Sequence, residues 1–105
     1  MKLENEKALI RTIAEGNTKS FEVLFYSYYP RLKGFICDLL QSPEEAEDIS
    51  QDIFTTLWQN RTSLDKIDNI SAYLFRIAKN AVYRHIERNM LFKNYQQKQT
   101  ESTPN

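Results

Sequence analysis

The sequence predicts an all-α protein, a compact bundle of about four helices. Glycine and proline are scarce, with two and three residues in the chain, and this composition disfavours a turn-rich β fold. Apolar residues recur every three or four positions over long stretches, which is the period of an amphipathic helix. A chain of 105 residues can bury one modest core, so we expect a single helical domain over residues 1–93.

The first two helices are predicted from apolar spacing and from the residues at their ends. Residues 4–15 carry a short apolar stripe, and Gly16 is a favoured residue just past a helix C-terminus. A longer helix is expected over residues 21–40. Its cap is expected among three polar residues, Asn17, Thr18 and Ser20.

The second helix contains a proline. Its apolar stripe consists of Phe21, Leu24, Phe25, Tyr28, Leu32, Phe35, Ile36 and Leu39. Pro30 interrupts this stripe. Because proline removes one backbone hydrogen bond and clashes with the previous turn, we expect a kink or a break at Tyr29.

The central helix has the clearest start signal. Ser42 can cap its first free amides, Pro43 suits the first helical position, and Glu45 lies three residues after the cap as a capping-box partner. The stripe expected to be buried consists of Ala46, Ile49, Ile53 and Leu57. A polar and acidic face consists of Asp48, Gln51, Asp52, Thr55 and Gln59. Phe54 and Trp58 flank that face. Their spacing alone does not decide whether these rings lie in the core or at an interface with a partner.

A mostly polar connection is expected over residues 61–69. At about nine residues it is longer than the usual two to eight between bundle helices, which favours a functional loop. Asp68 or Asn69 is expected to cap the last helix, which is predicted to run from about Ile70 to Met90.

The last helix is predicted to present a basic arc. Its buried stripe is expected to contain Ile70, Leu74, Ile77, Ala78 and Ala81, with His85 as a further candidate. The exposed arc then contains Arg76, Lys79, Asn80, Tyr83, Arg84 and Arg88. Cations neutralise phosphates, aromatic rings stack on unpaired bases, and asparagine can bond base edges. Such a pattern is most often a solvated charged face, so the residues alone leave both interpretations open.

The formal net charge of zero hides an asymmetry between the two parts of the chain. Residues 1–65 contain seven Lys and Arg against eleven Asp and Glu, whereas residues 66–105 contain seven against three. The acidic part suits a basic or polar protein partner, and the basic part suits a phosphate backbone.

Several classes of function are disfavoured by the composition. Cys37 is the only cysteine, so no intramolecular disulfide is possible, and no Cys/His cluster has the spacing of metal ligands. His85 has no acid or nucleophile at diagnostic spacing, so we expect no catalytic residue, no cofactor and no small-molecule substrate. Neither a secretion signal nor a stretch long enough to span a bilayer is present, so we expect a cytoplasmic protein without membrane insertion.

Three segments resemble one protein family. Residues 45–58, EAEDISQDIFTTLW, resemble region 2.2 of the extracytoplasmic-function (ECF) group of bacterial RNA polymerase sigma factors. Residues 71–80, SAYLFRIAKN, look like regions 2.3 and 2.4 of the same family. Residues 15–32 resemble its opening segment, which serves as scaffold. The resemblance implies the fold of sigma region 2 and a role in transcription initiation.

The resemblance implies two surfaces with different partners. In this family region 2.2 docks on the clamp helices of the polymerase β′ subunit, and the matching positions are Asp48, Gln51 and Asp52. Thr55 and Trp58 on the same helix complete the expected polymerase contacts.

The second surface is expected to bind promoter DNA. In the family, regions 2.3 and 2.4 read the −10 element on the non-template strand and help to open it, while the loop before them captures a flipped base. DNA contacts are therefore expected along the basic arc, and also at Arg61, Lys66 and Tyr73. Four residues after Asn80 the family commonly has an aspartate, where this chain has Arg84, and this change leaves the base preference open.

The family also implies what lies beyond this domain. Residues 94–105 are polar and are expected to be a frayed helix end that passes into a disordered linker. ECF sigma factors continue into a helix-turn-helix domain that reads the −35 element, and no such domain is present here, so we expect the N-terminal domain of a longer protein. An anti-sigma factor is a further expected partner. Two alternatives stay open, a helical adaptor that binds only proteins and a general single-strand binder.

Overall fold

The computed structural model describes residues 6–102, and beyond Leu91 it describes the backbone alone. The elements in order are α1 (Glu6–Ala14), α2 (Thr18–Leu40), α3 (Pro43–Gln59), a 3-10 helix (Arg61–Lys66) and α4 (Ile70–Ser102). Within the described part of the chain there is no strand, and the all-α prediction is confirmed. The predicted start of α1 at Glu4 lies outside the described residues.

A three-residue connection joins α1 to α2. Gly16 has a φ of +98°, a conformation that favours glycine because it has no Cβ. The amides of Gly16 and Asn17 donate to the carbonyls of Ile13 and Thr12 at 2.8 and 3.0 Å, which satisfies the end of α1. The Asn17 side chain then accepts from the Ser20 amide at 3.0 Å. Because Asn17 is the cap, α2 begins three residues before its predicted start.

The predicted break at Tyr29 is wrong, because α2 is continuous across Pro30, whereas a kink there stays a prediction. Pro30 lies on the exposed side of the helix, while Tyr28 and Leu32 on either side are buried. Tyr26, whose carbonyl would have accepted from position 30, is 73% exposed, so water can replace the missing donor. The packing of α2 therefore offsets the local cost of the proline.

The core lies where α1, α2, α3, the 3-10 helix and the first half of α4 meet. Its buried hydrophobic members are Ile10, Ile13, Leu24, Tyr28, Leu32, Ile36, Ala46, Ile53, Phe54, Leu57, Leu64, Ile70, Leu74, Ala78 and Val82. Other stripe positions pack half-buried against it, among them Phe21, Phe35, Ile49, Ile77 and Ala81. Leu39 was expected in the stripe and is instead 46% exposed. The periodicity of α4 did not predict the burial of Val82.

The segment over residues 61–69 is more ordered than the predicted connection. It forms the 3-10 helix, and Leu64 is 2% exposed within the core. Helix α1 packs against this 3-10 helix. The Asn69 side chain accepts from the Ala72 amide at 3.1 Å, which confirms one of the two predicted caps of α4.

Helix α4 runs from Ile70 to Ser102, about three turns beyond its predicted end near Met90. Residues 91–102 contain no glycine or proline and are rich in glutamine, lysine and other helix formers, so the helix can continue. Residues 103–105 lie outside the described residues. Whether residues 94–105 connect this bundle to another domain stays a prediction.

Candidate functional site

Helix α3 presents the predicted polar face to solvent. Ser42 caps the helix, its hydroxyl accepting from the Glu45 amide at 3.3 Å, so the helix begins where the sequence predicted. With Ala46, Ser50, Ile53, Phe54 and Leu57 turned inward, the opposite face is fixed outward. Its exposed members, which we call the α3 ridge, are Asp48, Gln51, Asp52 and Thr55. Neither ridge carboxylate forms an ion pair with a described residue.

The two aromatic residues of α3 take different positions. Phe54 is 3% exposed and belongs to the core, whereas Trp58 is half-buried. The ring centroid of Trp58 lies 5.1 Å from that of Phe21 on α2. Together with Phe25 these rings line a groove of about 510 Å³ between α2 and α3. Its polar edge is formed by Thr18, Gln51, Thr55 and Gln59, so the groove borders the α3 ridge.

The basic arc of α4 is divided into two rows. The outer row is exposed and consists of Arg76, Lys79, Asn80 and Tyr83. The Arg76 guanidinium carbon lies 5.7 Å from the ring centroid of Tyr73, and Lys79 Nζ lies 5.8 Å from that of Tyr83. These cation–π contacts hold rings and cations side by side. Because Tyr83 is 55% exposed, its ring offers a stacking surface.

Arg84 and Arg88 form the inner row and line a cleft between α3, the 3-10 helix and α4. The cleft has a volume of about 630 Å³. Its apolar lining consists of Ile49, Ile53, Leu57, Leu64, Ile67, Ile77 and Ala81. Its polar lining also includes Asp52, Thr56, Asn60, Ser63, Tyr73 and Glu87. Asp52 therefore lies on the boundary between the α3 ridge and the cleft.

The two cations of the 3-10 helix differ in their contacts. Arg61 packs on Trp58, with its guanidinium carbon 4.4 Å from the ring centroid, and its Nη1 donates to the Trp58 carbonyl at 3.0 Å. This arrangement caps the end of α3 and holds the side chain on the α3 side of the 3-10 helix. Lys66 is exposed at the end of that helix.

His85 links the two functional helices. Its Nε2 lies 3.1 Å from a carboxylate oxygen of Glu45 on α3 and 3.3 Å from Nδ2 of Asn89. The only histidine is thus held in a helix–helix contact, and no described residue near it has the arrangement of a nucleophile and base. Sequence spacing could not predict this pair because its members are forty residues apart.

The described residues offer no group of three His, Cys, Asp or Glu side chains that could hold a metal ion. In the same part of the chain, every helix is too short or too polar to cross a bilayer. The surfaces that remain are the α3 ridge with its aromatic groove, and the α4 arc with its cleft.

Comparison with known proteins identifies a family. The sequence model of the Sigma-70 region 2 family matches residues 24–91. The chain is 23% identical over 83 residues to the RNA polymerase sigma-H factor of Pseudomonas aeruginosa, covering 79% of the chain and 43% of that protein. It is 31% identical over 75 residues to the ECF RNA polymerase sigma factor RpoE of Cereibacter sphaeroides, covering 70% and 41%. The chain thus spans less than half the length of these relatives.

A solved structure has the same fold. It is the NMR structure of an engineered region 2 of sigmaE in complex with GTAAAA. The TM-score is 0.67 at 22% identity, with 84% of this chain and 93% of the other covered. The compact helical bundle is therefore the fold of sigma region 2.

Proposed function

Because the chain belongs to the sigma-70 region 2 family, we propose that it is the domain of a transcription initiation factor that binds core RNA polymerase and recognises the −10 promoter element. The observation that carries this proposal is the separation of two surfaces on one bundle. The α3 ridge carries exposed carboxylates, and the α4 arc carries exposed cations and tyrosines. One surface suits a protein and the other suits a nucleic acid.

The polymerase surface is the α3 ridge. Asp48, Gln51 and Asp52 are exposed and occupy the positions that meet the β′ clamp helices in the family. Because Asp48 and Asp52 have no cationic partner among the described residues, both carboxylates are available to cations of the clamp helices. Thr55 and the half-buried Trp58 border the aromatic groove beside the ridge and extend this contact surface.

The DNA surface is the α4 arc together with the cleft. In the outer row, Arg76 and Lys79 contact phosphates, Tyr83 stacks on a base, and Asn80 reads a base edge. Tyr73, which lines the cleft, stacks on a second base. Arg84 and Arg88 add phosphate contacts at the cleft. Lys66, exposed at the end of the 3-10 helix, adds a further phosphate contact. Arg61 contributes less, because its guanidinium already packs on Trp58.

The cleft is the pocket that receives a base extruded from the DNA stack. Ser63, Ile67 and Tyr73 line it beside the two arginines, and its volume of about 630 Å³ exceeds what one base needs. An apolar lining with a few polar groups suits a planar ring with hydrogen-bonding edges. Extruding a base costs a few kcal/mol, which contacts inside the cleft offset.

The domain performs no chemical step in this proposal, because polymerisation belongs to the core enzyme. Residues 1–93 form the sigma region 2 domain, and residues 94–105 lead toward a −35-reading domain of the whole protein. An anti-sigma factor that covers the α3 ridge or the α4 arc would prevent initiation. A purely protein-binding adaptor would need no stacking surface on α4, and the exposed Tyr83 therefore favours the sigma function.

The phosphate contacts are tested by the salt dependence of binding. Replacing both Arg84 and Arg88 by alanine should make the negative slope of log affinity against log salt concentration shallower by about one to two units. The loss should be nearly equal for every DNA sequence, because phosphates carry no sequence information. The assay measures the chain assembled with core polymerase on a fork-junction template at four or more salt concentrations.

The matched control removes two cations from α2, Lys19 and Lys33. Lys33 Nζ lies 3.9 Å from Glu47 and faces α3 rather than the cleft. The control variant should keep the parent slope. An equal slope for the parent and for the Arg84/Arg88 variant would show that the inner row is only a solvated face.

A further inference from the structure

The carboxylate of Glu6 joins three helices at the start of α4. One oxygen, Oε1, accepts from the backbone amide of Ile70 at 3.3 Å, and the other accepts from the Tyr28 hydroxyl at 3.4 Å. Ile70 is the first residue of α4, so its amide has no partner within the helix. The acceptor comes from α1, sixty-four residues earlier in the chain.

The environment of Tyr28 keeps its hydroxyl proton in place. Tyr28 is 1% exposed. Burial, and then the neighbouring Glu6 carboxylate, raise the pKa of Tyr28 above its ordinary value. The phenol therefore stays protonated near neutral pH and serves as a donor that holds the Glu6 side chain on the Ile70 amide.

Glu6 acts at the place where the proposed DNA-reading elements join. Helix α1 packs against the 3-10 helix, where Ile10 and Ile13 share the core with Leu64. Asn69 separately caps the Ala72 amide, and Tyr28 also shares a hydrogen bond with the Ser71 side chain, so Glu6 is the distant side chain that holds the Ile70 amide itself. Helix α1 lies outside residues 24–91, the part that matches the family.

We propose that Glu6 is a positioning residue for base reading, because its carboxylate fixes the start of α4 relative to the 3-10 helix and so sets the width of the cleft between them. The inference rests on the proposed function and adds a residue that touches no nucleotide. Without Glu6, the Ile70 amide and the Tyr28 hydroxyl lose their shared acceptor. The 3-10 helix and α4 are then free to shift relative to each other, while every cation of the arc stays exposed.

The test compares Glu6→Ala with Glu6→Gln and with Thr12→Ala. Glutamine keeps an acceptor for the Ile70 amide, whereas alanine removes it. The Thr12 hydroxyl on the same helix donates to the Leu9 carbonyl at 2.8 Å and shares a hydrogen bond with the Ser20 hydroxyl at 2.7 Å, away from Ile70 and Tyr28. Thr12→Ala is therefore a control that removes side-chain hydrogen bonds from α1 without touching the junction.

Two quantities are measured. The first is discrimination, the affinity ratio between the strand that the parent binds best among GTAAAA and its single-base variants and a scrambled strand of equal composition, for each full chain with core polymerase on fork junctions. Glu6→Ala should lower this ratio about threefold to tenfold, the size of one hydrogen bond, while affinity for the scrambled strand stays within about twofold. Glu6→Gln should restore most of the ratio, and Thr12→Ala should leave it unchanged. The second is hydrogen exchange at the Ile70 amide, which should be faster in Glu6→Ala only.

Several outcomes would overturn the inference. An unchanged ratio in Glu6→Ala, or an equal loss in Thr12→Ala, would reduce Glu6 to a structural residue. An unchanged exchange rate of the Ile70 amide in Glu6→Ala would show that the Glu6 carboxylate does not hold this amide in solution. If the parent chain itself fails to discriminate between the strands, the proposed function is what fails, and the exchange measurement still tests whether Glu6 fixes the start of α4.

Discussion

Replacing Asp52 with lysine is expected to abolish binding to core RNA polymerase. Asp52 is exposed on the α3 ridge and has no cationic partner among the described residues. The substitution places a cation against the cations that the ridge is proposed to meet, and like charges at an interface cost several kcal/mol. We expect affinity to fall on the order of 100-fold or more, measured by titration of labelled chain with core enzyme.

The fold should tolerate this change, because an exposed substitution usually alters stability by no more than about 0.5 kcal/mol. The matched control is Asp38→Lys, the same charge change at an exposed position near the end of α2. Asp38→Lys should bind core enzyme within about threefold of the parent. If Asp52→Lys binds as tightly as the parent, the α3 ridge is not the polymerase surface.

Replacing Leu74 with alanine should have the largest effect on stability. Leu74 is fully buried on α4, inside the core that joins α4 to the rest of the bundle. Truncating a buried leucine removes its transfer free energy and leaves a cavity, a combined loss of about 2–5 kcal/mol. For a domain of this size, whose total is about 5–15 kcal/mol, that loss can be most of the stability. Urea unfolding followed by helical circular dichroism measures it.

The control is the same substitution on the same helix. Leu91 is 62% exposed beyond the bundle, so Leu91→Ala should change the free energy of unfolding by no more than about 0.5 kcal/mol. Comparable losses in the two variants would mean that α4 does not pack on the bundle as described. Neither substitution alters the exposed cations of the arc.

Local signals explain which parts of the fold could be predicted. The start of α3 follows from Ser42 and Pro43, whose effects act within one turn of the helix. The Glu45 carboxylate, predicted as a capping-box partner, lies 3.1 Å from His85 Nε2 on α4. No break forms at Tyr29, because the packing of α2 on both sides of Pro30 outweighs the local cost of the proline. The burial of Leu64 was missed because one isolated aliphatic residue in a polar segment has no periodicity to reveal its direction.

In the candidate site, too, local signals predicted which residues are exposed but not how the helices are arranged around them. Helical periodicity predicted that the ridge and the basic arc would be exposed, and the structure places Asp48, Asp52 and Arg76 at the surface. It could not divide the arc into an outer row and a cleft row, because that division depends on how α3 and α4 cross. The Glu6 contact to Ile70 joins residues sixty-four positions apart, a distance that no local pattern spans.

The distribution of charge gives the domain its proposed role as a bridge. The acidic ridge and the basic arc lie on different helices that share one core, and the His85–Glu45 contact joins those helices. A protein that must hold an enzyme and a DNA strand in a fixed relation needs such a connection.

The central claim is that this bundle directs core RNA polymerase to a −10 strand. The most direct measurement is the affinity of core enzyme for labelled fork junctions carrying GTAAAA, its single-base variants or a scrambled strand, with and without the chain. We expect the chain to raise the affinity of core enzyme for at least one member of this panel about tenfold or more over the scrambled strand, and only when core enzyme is present. Equal affinity for every strand, or binding to core enzyme with no gain on any fork, would contradict it.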